Sequence, residues 1–264
     1  MKENKFKSLF YKLVIYWLAV FLLVILFKPN YLLSIIIVLG VPTMAIWWQL
    51  KQSRNRVLWF SVVSWLLMTP PLELMARLAN AWDVSSILPR LWGIAPIENL
   101  LFAFFNFMLG LSLYELVVVG DKDSKISRRL YGLAIFYGLF FVMVLILFKI
   151  KPSVITLDYY QLAILILLIP LSFFVWWWPS LLKQALKPTL ILGLVFFVYE
   201  IIALQLGYWW WPGQYLWPIS LGGKTFPIDD VVFWYLLSTP ALIGGYELFA
   251  KGRLSTIECR VLRK

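Results

Sequence analysis

Apolar residues in this chain come in long runs rather than in amphipathic stripes, and short polar or basic segments separate the runs. A helix needs roughly 20 apolar residues to cross the hydrocarbon core of a bilayer. Eight runs meet that length and are predicted as spans: Tyr11–Phe27, Tyr31–Leu50, Val57–Ala79, Ala95–Val119, Leu130–Phe148, Tyr159–Leu182, Thr189–Gln205 and Phe226–Ala250. The pattern predicts an all-α integral membrane protein of about eight transmembrane helices. Pro42, Pro170, Pro179 and Pro240 fall within or near span ends, and Pro70-Pro71 is expected to interrupt the third span.

Composition agrees with the pattern. The chain is 62% hydrophobic with 14% charged residues and a mean hydropathy of +0.84, well above the ~45–50% apolar content of soluble domains. The first run follows a basic start and exceeds the ~7–15-residue core of a signal peptide, so it is read as a retained anchor.

A motif then appears twice. Pro96-Ile97-Glu98-Asn99-Leu100-Leu101-Phe102 returns as Pro227-Ile228-Asp229-Asp230-Val231-Val232-Phe233 at an offset of 131 residues. Upstream, Glu73 stands nine residues before Trp82, as Glu200 does before Trp209; downstream, Tyr114-Glu115 is echoed by Tyr246-Glu247. Self-similarity at a long fixed period signals a duplicated structural unit. The expected organisation is a first four-helix repeat over 1–120, a linker over 121–129, and a second four-helix repeat with a basic tail over 130–264. An even number of spans per unit makes the two repeats parallel, with the same orientation in the membrane.

The net charge of +11 is a matter of topology rather than of nucleic-acid binding. With eight spans, one side carries Lys2, Lys5, Lys7, Lys12, Lys51, Arg54, Arg56, Lys122, Lys125, Arg128, Arg129, Lys183, Lys187, Lys251, Arg253, Arg260, Arg263 and Lys264. The other side carries only Lys28, Arg90, Lys149, Lys151 and Lys224. By the positive-inside rule both termini are cytoplasmic, in a multi-pass protein of the cell membrane. The single cysteine, Cys259, permits no disulfide within the chain, and there is no histidine. Proton chemistry therefore falls to carboxyl groups, tyrosine or water.

Helix geometry sorts the carboxylates by depth. Glu73 and Glu200 sit inside spans near their outer ends, and Glu98, Asp229 and Asp230 lie in the first turns of spans that start from the same side. These five form one candidate catalytic layer. Glu115 and Glu247 are 17 residues beyond Glu98 and Asp230, about 25 Å away, where ion pairing or snorkelling explains them. Glu98 also fits the bland role of a helix-start acid that complements the dipole. Glu73 has Arg77 one turn on, a spacing that keeps it ionised, whereas the matching position after Glu200 is Leu204. Unlike environments for neighbouring acids are how one site acquires both an acid and a base. The loops before the two motifs are dense in aromatics, including Trp82, Trp92 and Tyr208-Trp209-Trp210-Trp211; they suit an interfacial belt, or the mouth of an apolar site.

The repeated Pro-x-acid motif, preceded by a Trp-bearing loop in each half, resembles the lycopene cyclase domain of carotenoid synthesis, over roughly Val57–Glu115 and Thr189–Glu247. That family's motif tends to read Pro-x-Glu-Glu or Pro-x-Glu-Asp, and each copy here departs from it by one residue. The resemblance implies a lycopene β-cyclase-like isomerase acting on a hydrophobic polyene within the bilayer. Such an enzyme protonates a linear ψ end, closes the ring to a tertiary carbocation and removes a neighbouring proton. It implies no redox step, cofactor or metal. Glu98, Asp229, Asp230, Glu200 and Glu73 would be catalytic. Phe102, Phe233, Trp234 and Tyr235 beside the motifs, with Trp82 and Trp209, would bind substrate and offer aromatic faces to the cation. Two alternatives stand beside it. One is a multispan transporter with a carboxylate proton relay. The other is an intramembrane prenyltransferase, for which Asp229-Asp230 lacks the further aspartate of a magnesium site. The bilayer is the expected environment, nucleic acid is not an expected partner, and a homo-oligomer is compatible with the sequence.

The charge split predicts that a reporter fused to the C-terminus reads as cytoplasmic. A periplasmic signal would contradict both the span count and the parallel repeats.

Overall fold

The structure, a computed structural model, describes residues 2–121 and 125–252, with side chains from residue 8 onward. Lys122, Cys259 and the tail cations Arg253, Arg260, Arg263 and Lys264 lie outside the described residues, as do the side chains of Lys2, Lys5 and Lys7. The chain is 75% helical. Eight helices are long and apolar enough to cross a membrane: α1 (Lys2–Phe27), α2 (Tyr31–Gln49), α3 (Arg54–Leu78), α4 (Ile97–Val119), α5 (Arg129–Ile150), α6 (Tyr159–Trp177), α7 (Leu181–Leu206) and α8 (Ile228–Lys251). This is the architecture of a multi-pass membrane protein. The only strands among the described residues are short. They are β1 (Asp83–Val84), β2 (Arg90–Leu91), β3 (Ala95–Pro96), β4 (Trp209–Trp210), β5 (Pro218–Leu221) and β6 (Lys224–Pro227), all at one end of the bundle.

Three features of the spans depart most from expectation. Helix α3 runs unbroken through Pro70 and Pro71. The fixed φ of proline suits a helix, and the cost is confined to the carbonyls of Leu66 and Leu67, which lose their donors. Helix α7 begins at Leu181 rather than Thr189, so Lys183 and Lys187 lie exposed on its first turns instead of in a loop. Long cationic side chains there can extend to the interface. Helix α6 stops at Trp177 because Trp178, which precedes Pro179, takes an extended conformation (φ −136°, ψ 79°).

Proline leaves a second mark. In α2 an opening Tyr31–Ile35 segment widens into a π-helical turn over Ile36–Gly40 before Val41–Gln49. Helix α6 does the same over Tyr159–Ala163, Ile164–Leu168 and Ile169–Trp177. Each boundary matches at an offset of 128 residues. The cause is local: Pro42 and Pro170 donate no hydrogen bond and crowd the carbonyl four residues back, so the turn before each loosens to i→i+5 pairing. Val41 N–H accordingly reaches the Ile36 carbonyl and Ile169 N–H the Ile164 carbonyl. Both helices also open on a side-chain cap, Asn30 to Leu33 N–H and Asp158 to Gln161 N–H.

The helices interlock across the midpoint of the chain. Helix α1 packs on α7, α5 packs on α3, and α4 packs against α7 and α8. The loops that follow α3 and α7 join as an antiparallel pair, with Asp83 opposite Trp210 and Val84 opposite Trp209. Three apolar clusters fill the interior. One of them surrounds a polar knot at the end remote from the strands. There, Arg56 and Glu115 are fully buried and pair at 3.1 Å. Lys251 bridges Glu115 at 2.7 Å and Glu247 at 2.6 Å. Tyr114 donates to Glu247 (2.9 Å) and Tyr246 to Glu115 (2.6 Å), so each half supplies a tyrosine to the other half's acid. Ion pairing thus accounts for Glu115 and Glu247 as expected, but inside the protein rather than by snorkelling. Among the described residues two acids meet two cations here, and such pairing makes the burial tolerable.

Removing one member unbalances the knot. Glu115→Leu removes the carboxylate that both Arg56 and Lys251 bridge and is expected to destabilise the fold by about 3–5 kcal/mol. Thermal unfolding in detergent measures this, and an unchanged midpoint would contradict it.

Candidate functional site

The bundle holds a partly open cavity of about 250 Å³ lined by side chains of α2 to α8 and of the loops at the strand-bearing end. Along α3 its lining runs from Phe60 to Glu73, and along α8 from Asp230 to Phe249. Thirteen helical residues on α3 span about 20 Å, so the cavity is a slot rather than a sphere. Its walls are mainly apolar: Met68, Leu72, Phe107, Leu167, Phe174 and Leu242 are among them. Carboxylates gather at one end only, where Glu73, Glu200 and Asp230 line the slot.

The two glutamates are held alike by tryptophan and differently by everything else. Trp82 Nε1 donates to Glu73 at 3.1 Å, and Trp209 Nε1 donates to Glu200 at 2.9 Å. Glu73 also takes the Arg77 guanidinium at 3.1 Å and the Asn99 amide at 2.7 Å. Asn99 in turn accepts from the Tyr31 hydroxyl at 3.2 Å. Among the described residues Glu200 has no cation. Its further partners are the Trp211 indole (3.0 Å) and the Tyr235 hydroxyl (2.8 Å), both neutral donors. Tyr235 also adjoins Asp230, and Tyr159 lies beside Asp230 on the other flank. The position matching Asn99 is Asp230, and the one matching Arg77 is Leu204. One half of the site therefore holds an ion-paired carboxylate, and the other holds two carboxyl groups among indoles and phenols.

Of the expected catalytic residues the slot brings together Glu73, Glu200 and Asp230, but not Glu98 or Asp229. Glu98 is 1% exposed. Its carboxylate accepts from the Ile87 and Leu88 amides (both 2.7 Å) and from the Ser86 hydroxyl (2.6 Å). Asp229 accepts from the Trp217 amide at 3.1 Å. Each acid at the third motif position ties down the loop that precedes its own helix, and each residue at the fourth position faces the slot. The reason is geometric: successive residues on a helix point about 100° apart, so only one of the pair can face inward. Among the expected substrate-binding aromatics, Phe102, Trp234, Tyr235, Trp82 and Trp209 line the slot, while Phe233 packs against Tyr159 and Tyr160 outside it. Asn99 and Tyr31 are not among the residues expected at the site, and Trp211 was expected only as part of the aromatic loop at its mouth. The signal for Asn99 was its match to Asp230, and for Trp211 its place two residues past Trp209.

Above the site, the loop after α3 is clamped by charge. Arg77 bridges Asp83 as well as Glu73, and Arg90 pairs with Asp83 at 3.1 Å. Burial favours a neutral Asp83, but the Arg77 charge and hydrogen bonds from Arg90 and the Val84 amide outweigh it and hold the carboxyl below its ordinary 3.8. The clamp's contribution is thus fully present above that value and is lost as pH falls through the lower folded one. No family model matches the chain, and neither a curated protein nor a solved structure matches it significantly.

Glu98→Ala strips the acceptor from two loop amides, while the Ser86 hydroxyl keeps the Leu88 carbonyl, at a cost of about 1–3 kcal/mol. The Ile87 and Leu88 amides are then expected to exchange hydrogen faster, with the α4 core unaffected. Unchanged exchange would show that Glu98 does not anchor this loop.

Proposed function

We propose that the chain is a lycopene-cyclase-like isomerase, a multi-pass protein of the cell membrane with both termini cytoplasmic, built from two parallel four-helix repeats. The observation that carries this reading is the inequality of the two acids at the end of an apolar slot. Glu73 is paired with Arg77, whereas among the described residues Glu200 and Asp230 adjoin neutral donors. The matched π-turns of α2 and α6, the reciprocal Tyr114–Glu247 and Tyr246–Glu115 bonds and the loop pairing at Asp83 and Trp210 support the repeat.

An alkene is a very weak base, so the donor must be a neutral carboxyl kept from water. Two acids side by side without a cation share a proton more readily than they hold two charges. The Glu200–Asp230 pair therefore serves as donor, with Tyr235 and the two indoles orienting it. The substrate's end lies between this pair and Glu73, with the rest of its chain along the slot. Protonation of the terminal double bond starts ring closure. The resulting tertiary cation faces Phe102, Trp82, Trp209 and Trp234, and the ionised Glu73 receives the proton lost from the neighbouring carbon. Atoms and electrons balance as an isomerisation, so the mechanism calls on no cofactor. The transporter alternative uses the same acids as a relay. A prenyl-transfer reading needs a cluster of metal-binding carboxylates, and none is formed among the described residues.

Expressed alone in a lycopene-producing host, the chain is expected to yield cyclic carotene. Glu200→Gln and Asp230→Asn each lower the yield about 10²–10⁴-fold, the range for a lost general acid. Asp229→Asn keeps most of it. Unchanged lycopene despite verified membrane expression would contradict the reading, and solute flux would favour transport.

A further inference from the structure

One part of the slot is polar where cyclisation has no use for it. Thr69 and Ser64 are 6% and 3% exposed, both line the slot, and neither hydroxyl has a hydrogen-bond partner. Ser61, Ser112 and Thr189 are unpartnered as well, but none of them lines it. An unpartnered hydroxyl in an apolar interior is costly and points to a missing ligand. The side chain of Asn106 lines the same cavity. Donors and acceptors together in a cavity with room for small molecules meet the requirements of a bound water.

The position of Thr69 gives that water a use. Thr69 is one turn before Glu73 on α3, and side chains four residues apart on a helix are neighbours. We infer that Thr69 holds a water against the cation formed at the carboxylate layer, so that the protein also acts as a hydratase of the same polyene end. The inference rests on the protonation chemistry proposed above. In this branch the carboxyl pair delivers its proton to the terminal double bond. The water oxygen then bonds to the tertiary carbon in place of ring closure, and one water proton passes to the Glu73 carboxylate. Alkene and water become a tertiary alcohol, with nothing oxidised or reduced. Ring closure and water capture compete for one cation, and the Thr69 hydroxyl sets how often water is in place.

Product analysis in the lycopene-producing host tests this, with isotopically labelled water to mark the oxygen. The expected result is an acyclic product one water heavier, carrying the label, beside the cyclic one. Thr69→Val, nearly the same shape without the hydroxyl, is expected to lower the hydrated fraction roughly fivefold, the effect of one neutral hydrogen bond, while total lycopene consumed holds steady. Ser64→Ala acts as a second, weaker probe in the same direction. Cyclic product with no hydrate, or a hydrate fraction unmoved by Thr69→Val, overturns the inference and leaves the cyclase reading standing. Unchanged lycopene overturns both.

Discussion

A carboxylate removed from water must find donors within the protein, and the way each acid in this bundle finds them organises the rest of the structure. Among the described residues seven acids are buried: Glu73, Glu98, Glu115, Glu200, Asp229, Asp230 and Glu247. At the remote end, Glu115 and Glu247 are met by Arg56, Lys251 and two tyrosines. At the strand-bearing end, Glu98 and Asp229 are met by loop amides. These four acids carry architecture. Glu73 is met by a cation and an amide, and Glu200 with Asp230 by neutral side chains. The acids that line the slot are the ones held by side chains rather than by loop amides or the remote ion-pair knot, Glu73 with a cation and Glu200 with Asp230 among neutral donors. That difference marks the candidate site.

The proposed division of labour follows from a few substitutions between matched positions. Asn99 against Asp230 and Arg77 against Leu204 give one half of the site an ion-paired carboxylate and the other half two carboxyl groups among neutral donors. The matched Trp82 and Trp209 bonds keep both acids at one level, because an indole can only donate and so holds a carboxylate oxygen in either charge state. Loop pairing through Asp83 and Trp210 then sets the two halves face to face. Neither half could form the slot alone, since its lining comes from helices on both sides of the midpoint.

Much of this was legible in the residues. Spans were visible because a bilayer demands long apolar runs, and the depth of Glu73, Glu200 and Asp230 followed from rise per residue. What sequence could not give was rotation. Glu98 and Asn99 are neighbours in the chain and point to different places, so the acid drew attention and the amide reached the cavity. The same gap hid the loop-anchoring role of Asp229 and placed Phe233 on the wrong side of its helix. The smooth passage of α3 through Pro70-Pro71 was also out of reach, since whether a released carbonyl breaks a helix depends on what surrounds it. Polar atoms such as the Thr69 hydroxyl gain meaning only once a cavity is seen beside them.

The central claim is that a carboxyl proton, exchangeable with solvent, starts the reaction at an alkene carbon. Turnover of lycopene by the membrane-embedded protein in deuterated water, read by mass spectrometry of the carotene formed, tests it most directly. The account predicts one deuterium retained for every ring closed. Cyclic product formed without deuterium would contradict it.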